Sequence, residues 1–212
     1  YPMMLQLQSA VENRLRSKNR SQDLCDFKGF AIDVLNSMRT HISDLPIGQK
    51  DPDVPEVSFL LGGYSWKKSK FLLWTFFYDN NAKKFAARPT SYWKGIKGEK
   101  KIAFAGDYVG KAKKLLIDLL KSRNKLEDGN LDMEPFEVLR ELLKNQKEYP
   151  LIGGPPQLLK VYRHMNVLPF AVKWNVHGKE VTSLLGRPLM SFEKSSHPII
   201  DPETMKIEKP EI

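Results

Sequence analysis

The stretch Lys70–Tyr78, KFLLWTFFY, narrows the fold more than any other part of this chain. It is too short for a buried helix and rich in aromatic residues, a composition that fits a pleated, half-buried strand. Asp79-Asn80-Asn81 follows, and these side chains favour turns because they bond their own backbone and tolerate left-handed dihedrals. Phe85 to Arg88 then reads as the returning strand, and Val57 to Gly63 as the strand before. Three strands joined by short polar turns predict an antiparallel meander.

Helical spacing flanks this block. Leu5 to Leu15 reads as a first helix and Asp23 to Ile42 as a second, with Leu24, Phe27, Phe30, Ala31, Val34, Leu35 and Met38 three and four residues apart. After the meander, Ile102 to Ala105 reads as a short buried strand. Gly106 follows, and Asp107 is expected to cap a helix whose apolar face is Val109, Ala112, Leu115, Leu116, Leu119 and Leu120. Asp132 is expected to cap the next helix, with Pro135 in its first turn and Phe136, Val138, Leu139, Leu142 and Leu143 on its buried side. Gln157–Tyr162, Leu168–Trp174 and Lys179–Leu185 read as strands, the last two joined by a turn at 175–178. Helices and strands are segregated rather than alternating, which predicts a layered α+β fold with helices on antiparallel sheets. The expected organisation is one domain over 1–186 and a Pro-rich, irregular C-terminal extension over 187–212.

A chain of 212 residues can bury one good core, and 41% apolar with 28% charged residues is an ordinary globular balance. No apolar run approaches the ~18 residues of a membrane span, and YPMMLQLQ lacks the basic and apolar regions of a secretory signal. Cys25 is the single cysteine, so no intrachain disulfide forms, and a cytoplasmic, reducing setting without a membrane partner is expected. The net charge is +9, unevenly spread: between Trp66 and Lys125 sixteen basic residues face four acidic ones, a net +12. Such a field attracts nucleic acid or an acidic protein, and Lys67, Lys68, Lys70, Lys83, Lys84 and Lys111 are the candidate contacts. Tyr64-Ser65-Trp66-Lys67-Lys68 adds aromatic rings that can stack on bases. A solvated surface is the plainer account of the same charges.

Other motifs exclude chemistry. Gly153-Gly154 precedes a strand and not a helix, and Pro155-Pro156 removes two amide donors, so it is no phosphate cradle. A tight entry to a buried strand, where a side chain would clash, explains both this pair and Gly62-Gly63. Counted from Asp128, the glycine and bidentate positions of a calcium loop hold Met133 and Leu139, so that reading fails. His41, His164, His177 and His197 lack zinc-ligand spacing, and Cys25 sits among apolar helix residues as a packing group. No metal and no cofactor is expected.

The order of elements, together with Val57-Ser58-Phe59-Leu60-Leu61-Gly62-Gly63-Tyr64, Ile102-Ala103-Phe104-Ala105-Gly106-Asp107-Tyr108 and Gly153-Gly154, resembles the proteasome β-subunit-like branch of the Ntn-hydrolase superfamily over roughly Leu5 to Leu185. The resemblance implies a four-layer αββα sandwich, here incomplete at its N-terminal side, with Gly106, Gly153 and Gly154 as structural glycines. It implies peptide-bond hydrolysis by an N-terminal Thr, Ser or Cys whose own amine is the base, and assembly into oligomeric rings. Tyr1 cannot be that nucleophile, so the nucleophile strands would lie N-terminal to this chain, and no catalytic residue is assigned within it. Ala105 and Ile152 stand where the family carries Ser, and Tyr149 near its Asp. The alternative is a non-catalytic interaction module of the same fold that uses the basic segment 66–125.

Overall fold

The computed structural model describes residues 23–43, 57–90, 102–127, 131–145, 147–163, 166–176 and 178–210. The expected helix at Leu5–Leu15 lies outside the described residues, as do His164 and His177. Among the described residues, three helices and two mostly antiparallel sheets make an α+β fold. By internal packing the chain divides into two compact units, 1–91 with 101–106 and 92–100 with 107–212.

In the first unit, helix α1 (Leu24–Ser43) covers one face of a three-stranded meander, β1 (Ser58–Ser65), β2 (Lys70–Asp79) and β3 (Lys84–Pro89). Both pairings are antiparallel, with Leu61 opposite Trp74 and Tyr78 opposite Phe85. Strand alternation sends Trp74, Phe76 and Phe85 to the face where Leu24, Ala31 and Leu35 of α1 meet them, and all six are buried. Burial of each large side chain is worth about 1.5–3 kcal/mol. Cys25 packs against this core, as its apolar neighbours predict. The outer edge of β3 is closed by a helix side chain: the Phe85 amide donates to Asn36 Oδ1 at 2.7 Å, and Asn36 Nδ2 donates back to the Phe85 carbonyl at 3.3 Å. The turn after β2 is an Asx turn, in which Asp79 Oδ1 accepts from the amides of Asn81 and Ala82. Its left-handed residue is Lys83, at φ 50°, and not an asparagine.

Gly63 is set by space. A Cβ there would stand 3.1 Å from both terminal methyl carbons of Leu24 on α1. Gly63→Ala is expected to cost about 1–2 kcal/mol through overpacking, read as a lower midpoint in chemical denaturation with the slope unchanged.

In the second unit, α2 (Val109–Ser122) and α3 (Glu134–Lys144) accompany a six-stranded sheet. Its strands are β4 (Leu158–Val161), β5 (Val167–Val176), β6 (Lys179–Leu184), β7 (Arg187–Pro188), β8 (Ile199–Ile200) and β9 (Ile207–Glu208). The order is β7-β6-β5-β8-β9, with β4 also paired to β5. Strand β5 is the spine: it runs antiparallel to β4 and β6, and parallel to β8 through Ala171 and Val172. Phe136, Phe170, Val172 and Ile200 form one buried cluster, and Leu116 and Leu120 of α2 are fully buried.

Several expectations need correction. Residues 102–105 form no strand, and Ala105 is exposed. Asp107 does not cap α2. The cap position is Tyr108, in the left-handed region at φ 57°, with no side-chain cap bond. Asp132 does not cap α3 either, because the Glu134 side chain reaches back and accepts its amide at 2.7 Å. Pro135 does stand in the first turn, whereas Leu139 is 38% exposed rather than buried. The strand after Gly153-Gly154 is largely exposed, and a Cβ on Gly154 would touch nothing within 4 Å. Gly154 is therefore required for its dihedral, φ 82°, and not for space. The described part of the tail, 187–210, is mostly irregular as expected, but it also supplies the two-residue strands β7, β8 and β9 and places Ile200 in the core.

Candidate functional site

Two positive-φ residues, Gly106 at 99° and Tyr108 at 57°, turn the chain sharply into α2. A non-glycine residue at positive φ is uncommon and persists where its surroundings hold it. Here the holding contact is Tyr149. The Tyr108 and Tyr149 rings lie edge to face, with centroids 5.0 Å apart and planes inclined by 68°. Tyr149 is buried, and its hydroxyl donates to Glu148 Oε1. Lys111, one turn into α2, places its ammonium 3.6 Å from Glu148 Oε1 and 5.8 Å from the Tyr149 ring centre. The Tyr149 hydroxyl first, and then the Glu148 carboxylate, hold the Lys111 ammonium above its ordinary pKa, so it stays charged. The cluster thus joins an acid, a phenol and a cation just ahead of the Gly153-Gly154 turn. The Glu148 side chain is 62% exposed and keeps lone pairs open to solvent, so it can accept a bond from an incoming donor.

The candidate lysines are not gathered into one patch. Lys67, Lys68 and Lys70 lie at the β1–β2 end of the meander, and Lys83 and Lys84 at the β2–β3 end. The length of β2 separates these groups by about 30 Å. Lys111 belongs to the second unit. Lys67 is spent on an ion pair, with its Nζ 2.8 Å from Asp26 Oδ2, a bond that raises its pKa. No described carboxylate pairs with Lys68, Lys70, Lys83 or Lys84. Trp66, 49% exposed, stands beside Lys68 at an aromatic, basic corner. Gly153 stays exposed ahead of β4.

One polar centre escaped the sequence reading. Asp23 is 1% exposed, and its carboxylate accepts from Ser65 Oγ at 2.7 Å, from the Cys25 amide at 3.2 Å and from the Lys67 amide at 3.4 Å. Its own amide donates to Asp26 Oδ2 at 2.9 Å. Asp23 and Asp26 form a capping box in which aspartate takes the place of the usual glutamate. Through Ser65 and Lys67 the box also ties the β1–β2 turn to the helix start. Burial pushes the Asp23 pKa up, but the bonds from Ser65, Cys25 and Lys67 outweigh it and leave the pKa at about 2. The spacing Asp23-x-x-Asp26 ahead of an apolar run was the available signal.

A second such centre is Glu134, whose buried carboxylate accepts from Lys125 Nζ at 2.6 Å, while Arg123 makes a two-toothed pair with Glu137 at 2.7 Å. Burial acts to raise the Glu134 pKa, but Lys125 and the Asp132 amide lower it further. Two of the sixteen basic residues are therefore paired with carboxylates in the first turn of α3. Among the described residues, no three His, Cys, Asp or Glu side chains are grouped to hold a metal, and no helix is long and apolar enough to cross a membrane. No protein-family model, no curated protein and no solved structure matches this chain.

Proposed function

We propose that this chain is the scaffold portion of a proteasome-like Ntn-hydrolase subunit, a peptidase whose nucleophile is carried on strands N-terminal to residue 1. The observation that carries the reading is the order of elements. A long helix leads into a three-stranded antiparallel meander, then two helices, then an antiparallel strand pair, which matches the succession expected from the resemblance except for its short strand at 102–105, which does not form, and its first helix, which lies outside the described residues. Gly106 and Gly154 both adopt positive φ. In this reading the four-layer sandwich is the arrangement of these parts. The cluster of Tyr108, Lys111, Glu148 and Tyr149 lies along the segments where the family keeps the groups that orient its N-terminal amine. Glu148 and Tyr149 supply a carboxylate and a hydroxyl there, in place of the family's Asp near Tyr149. The alternative, a basic module that binds nucleic acid in a reducing compartment, draws less support, because Lys67 and Lys111 already face carboxylates.

The test is the mature N-terminus of the protein purified from its natural source, read by mass spectrometry. The expected result is a Thr, Ser or Cys exposed by processing, followed by a strand pair, and hydrolysis of fluorogenic peptides that stops when the α-amine is acetylated. A mature product with no such residue ahead of the helices, and no peptide hydrolysis, overturns the proposal.

A further inference from the structure

Strand β5 carries a feature unrelated to the cluster above: one of its edges runs out of partners. On one side β6 pairs with it from Ala171 to Val176. On the other side β4 covers Val167–Phe170, and β8 covers only Ala171 and Val172. Past Val172 no described strand lies against that side. The Ala171 amide donates to the Pro198 carbonyl at 2.9 Å, away from β6. Main-chain groups two and four residues further along an extended strand point the same way. The Lys173 carbonyl and both main-chain groups of Asn175 therefore face out of the open edge. The reason β8 stops is local. The Asp201 carboxylate accepts the Glu203 amide and the Thr204 hydroxyl, both at 2.8 Å, and this turns the chain toward β9. Pro202, next in line, has no N–H to offer the Lys173 carbonyl.

The gap is a groove of about 470 Å³, within the size range of ligand clefts. Its lining comes from Lys173, Trp174 and Asn175 of β5, from Leu143 near the end of α3, and from Asp201 and Glu203 at the turn. Consecutive strand residues send their side chains to opposite faces of a sheet. A groove lined by three in a row therefore follows the edge and not one face. The cations beside it are committed: Lys144 pairs with Glu203 and Lys173 with Glu208, each at 2.6 Å. Glu180 also lines the groove, is exposed, and makes no ion pair among the described residues.

We propose that this edge binds an extended peptide segment of a partner protein, which adds a strand beside Lys173–Val176 and sets a basic side chain near Glu180. The occupant follows from the chemistry of the edge. Alternating N–H and C=O groups at strand spacing are matched by another extended main chain, and not by a phosphate backbone or a lipid headgroup. The main-chain bonds supply affinity, and Glu180 supplies the side-chain preference. The inference stands apart from the peptidase reading, because binding at this edge needs no nucleophile.

The probe is a fluorescent peptide of alternating Thr and Val flanked by lysines and capped at both ends, titrated against the 212-residue chain by anisotropy. Saturable binding is expected. A matched peptide with its core amides N-methylated is expected to bind about tenfold more weakly, because its main-chain donors are gone. Glu180→Lys, a change at an exposed site that should leave the fold intact, is expected to raise the dissociation constant of the first peptide about fivefold at low salt. Hydrogen exchange followed by NMR locates the contact. The Asn175 amide is expected to exchange freely in the chain alone and about tenfold more slowly with the unmethylated peptide bound. Absent binding, equal binding of the methylated peptide, an affinity that Glu180→Lys leaves unchanged, or an Asn175 amide that the peptide does not protect overturns the proposal. Protection of Asn175 that rises with protein concentration alone assigns the edge to a second copy of the chain and overturns it as well.

Discussion

Asp23→Ala is expected to lower the stability of the first unit by about 3 kcal/mol. Loss of an N-cap costs about 1 kcal/mol. Removal of a buried charged acceptor that leaves hydroxyl and amide donors unmatched costs about 2 kcal/mol more. Both losses apply here, because the same carboxylate receives the Cys25 amide of the helix and the Ser65 hydroxyl and Lys67 amide of the β1–β2 turn. Ser65 is fully buried, so its hydroxyl has no water to replace the lost partner. Asp23→Asn should cost less, since an amide oxygen still caps the helix but without the charge. The effect has a pH signature. The ordinary carboxyl pKa is 3.8 and the folded value about 2, so between these the unfolded chain binds the extra proton. The stabilisation from Asp23 is fully present above about pH 4 and is lost as pH falls toward 2. Denaturant midpoints of wild type and Asp23→Ala should therefore stand well apart at pH 7 and converge near pH 2. Equal midpoints at pH 7, or a gap that persists at pH 2, would mean that the carboxylate does not carry this load.

The physics that made parts of this fold legible is local. KFLLWTFFY and its Asn-rich turn specify a strand and a reversal by their own composition, and the 3.6-residue spacing from Leu24 to Met38 specifies a helix. The meander and α1 therefore followed from the sequence. Caps were less legible, because several nearby polar residues compete for the same amides. Asp107 and Asp132 look like caps, yet Tyr108 is held by its stack on Tyr149, and Glu134 takes the Asp132 amide. Both winners depend on partners distant in sequence or on burial, neither of which a local pattern records. The lysines show the same limit. Their number is visible in composition, but the length of β2 that splits them, and the carboxylates that occupy Lys67, Lys111 and Lys125, appear only with tertiary structure.

The tail sets the second strong expectation. Proline density over 187–212 suggested an extension, yet two-residue strands carry too little periodicity to be seen in sequence. What holds the tail is distributed: Ala171 and Val172 pair with Ile199 and Ile200, Arg140 donates to the Pro202 carbonyl at 2.6 Å, and Lys173 meets Glu208 at 2.6 Å. Ile200 is fully buried among Phe136, Phe170 and Val172. Ile200→Ala is therefore expected to cost about 3 kcal/mol, the transfer loss plus the cavity left in a cluster that backbone pairing keeps from collapsing. Ile200→Val should cost about 1 kcal/mol. Hydrogen exchange followed by mass spectrometry checks both magnitude and place. Amides of β5 and β6 should exchange faster in Ile200→Ala, while those of β2 and α1, in the first unit, keep wild-type protection. If β5 protection is unchanged, the tail is an appendage after all. If β2 loses protection equally, the two units unfold together, and a single cooperative core would replace the division drawn from their internal packing.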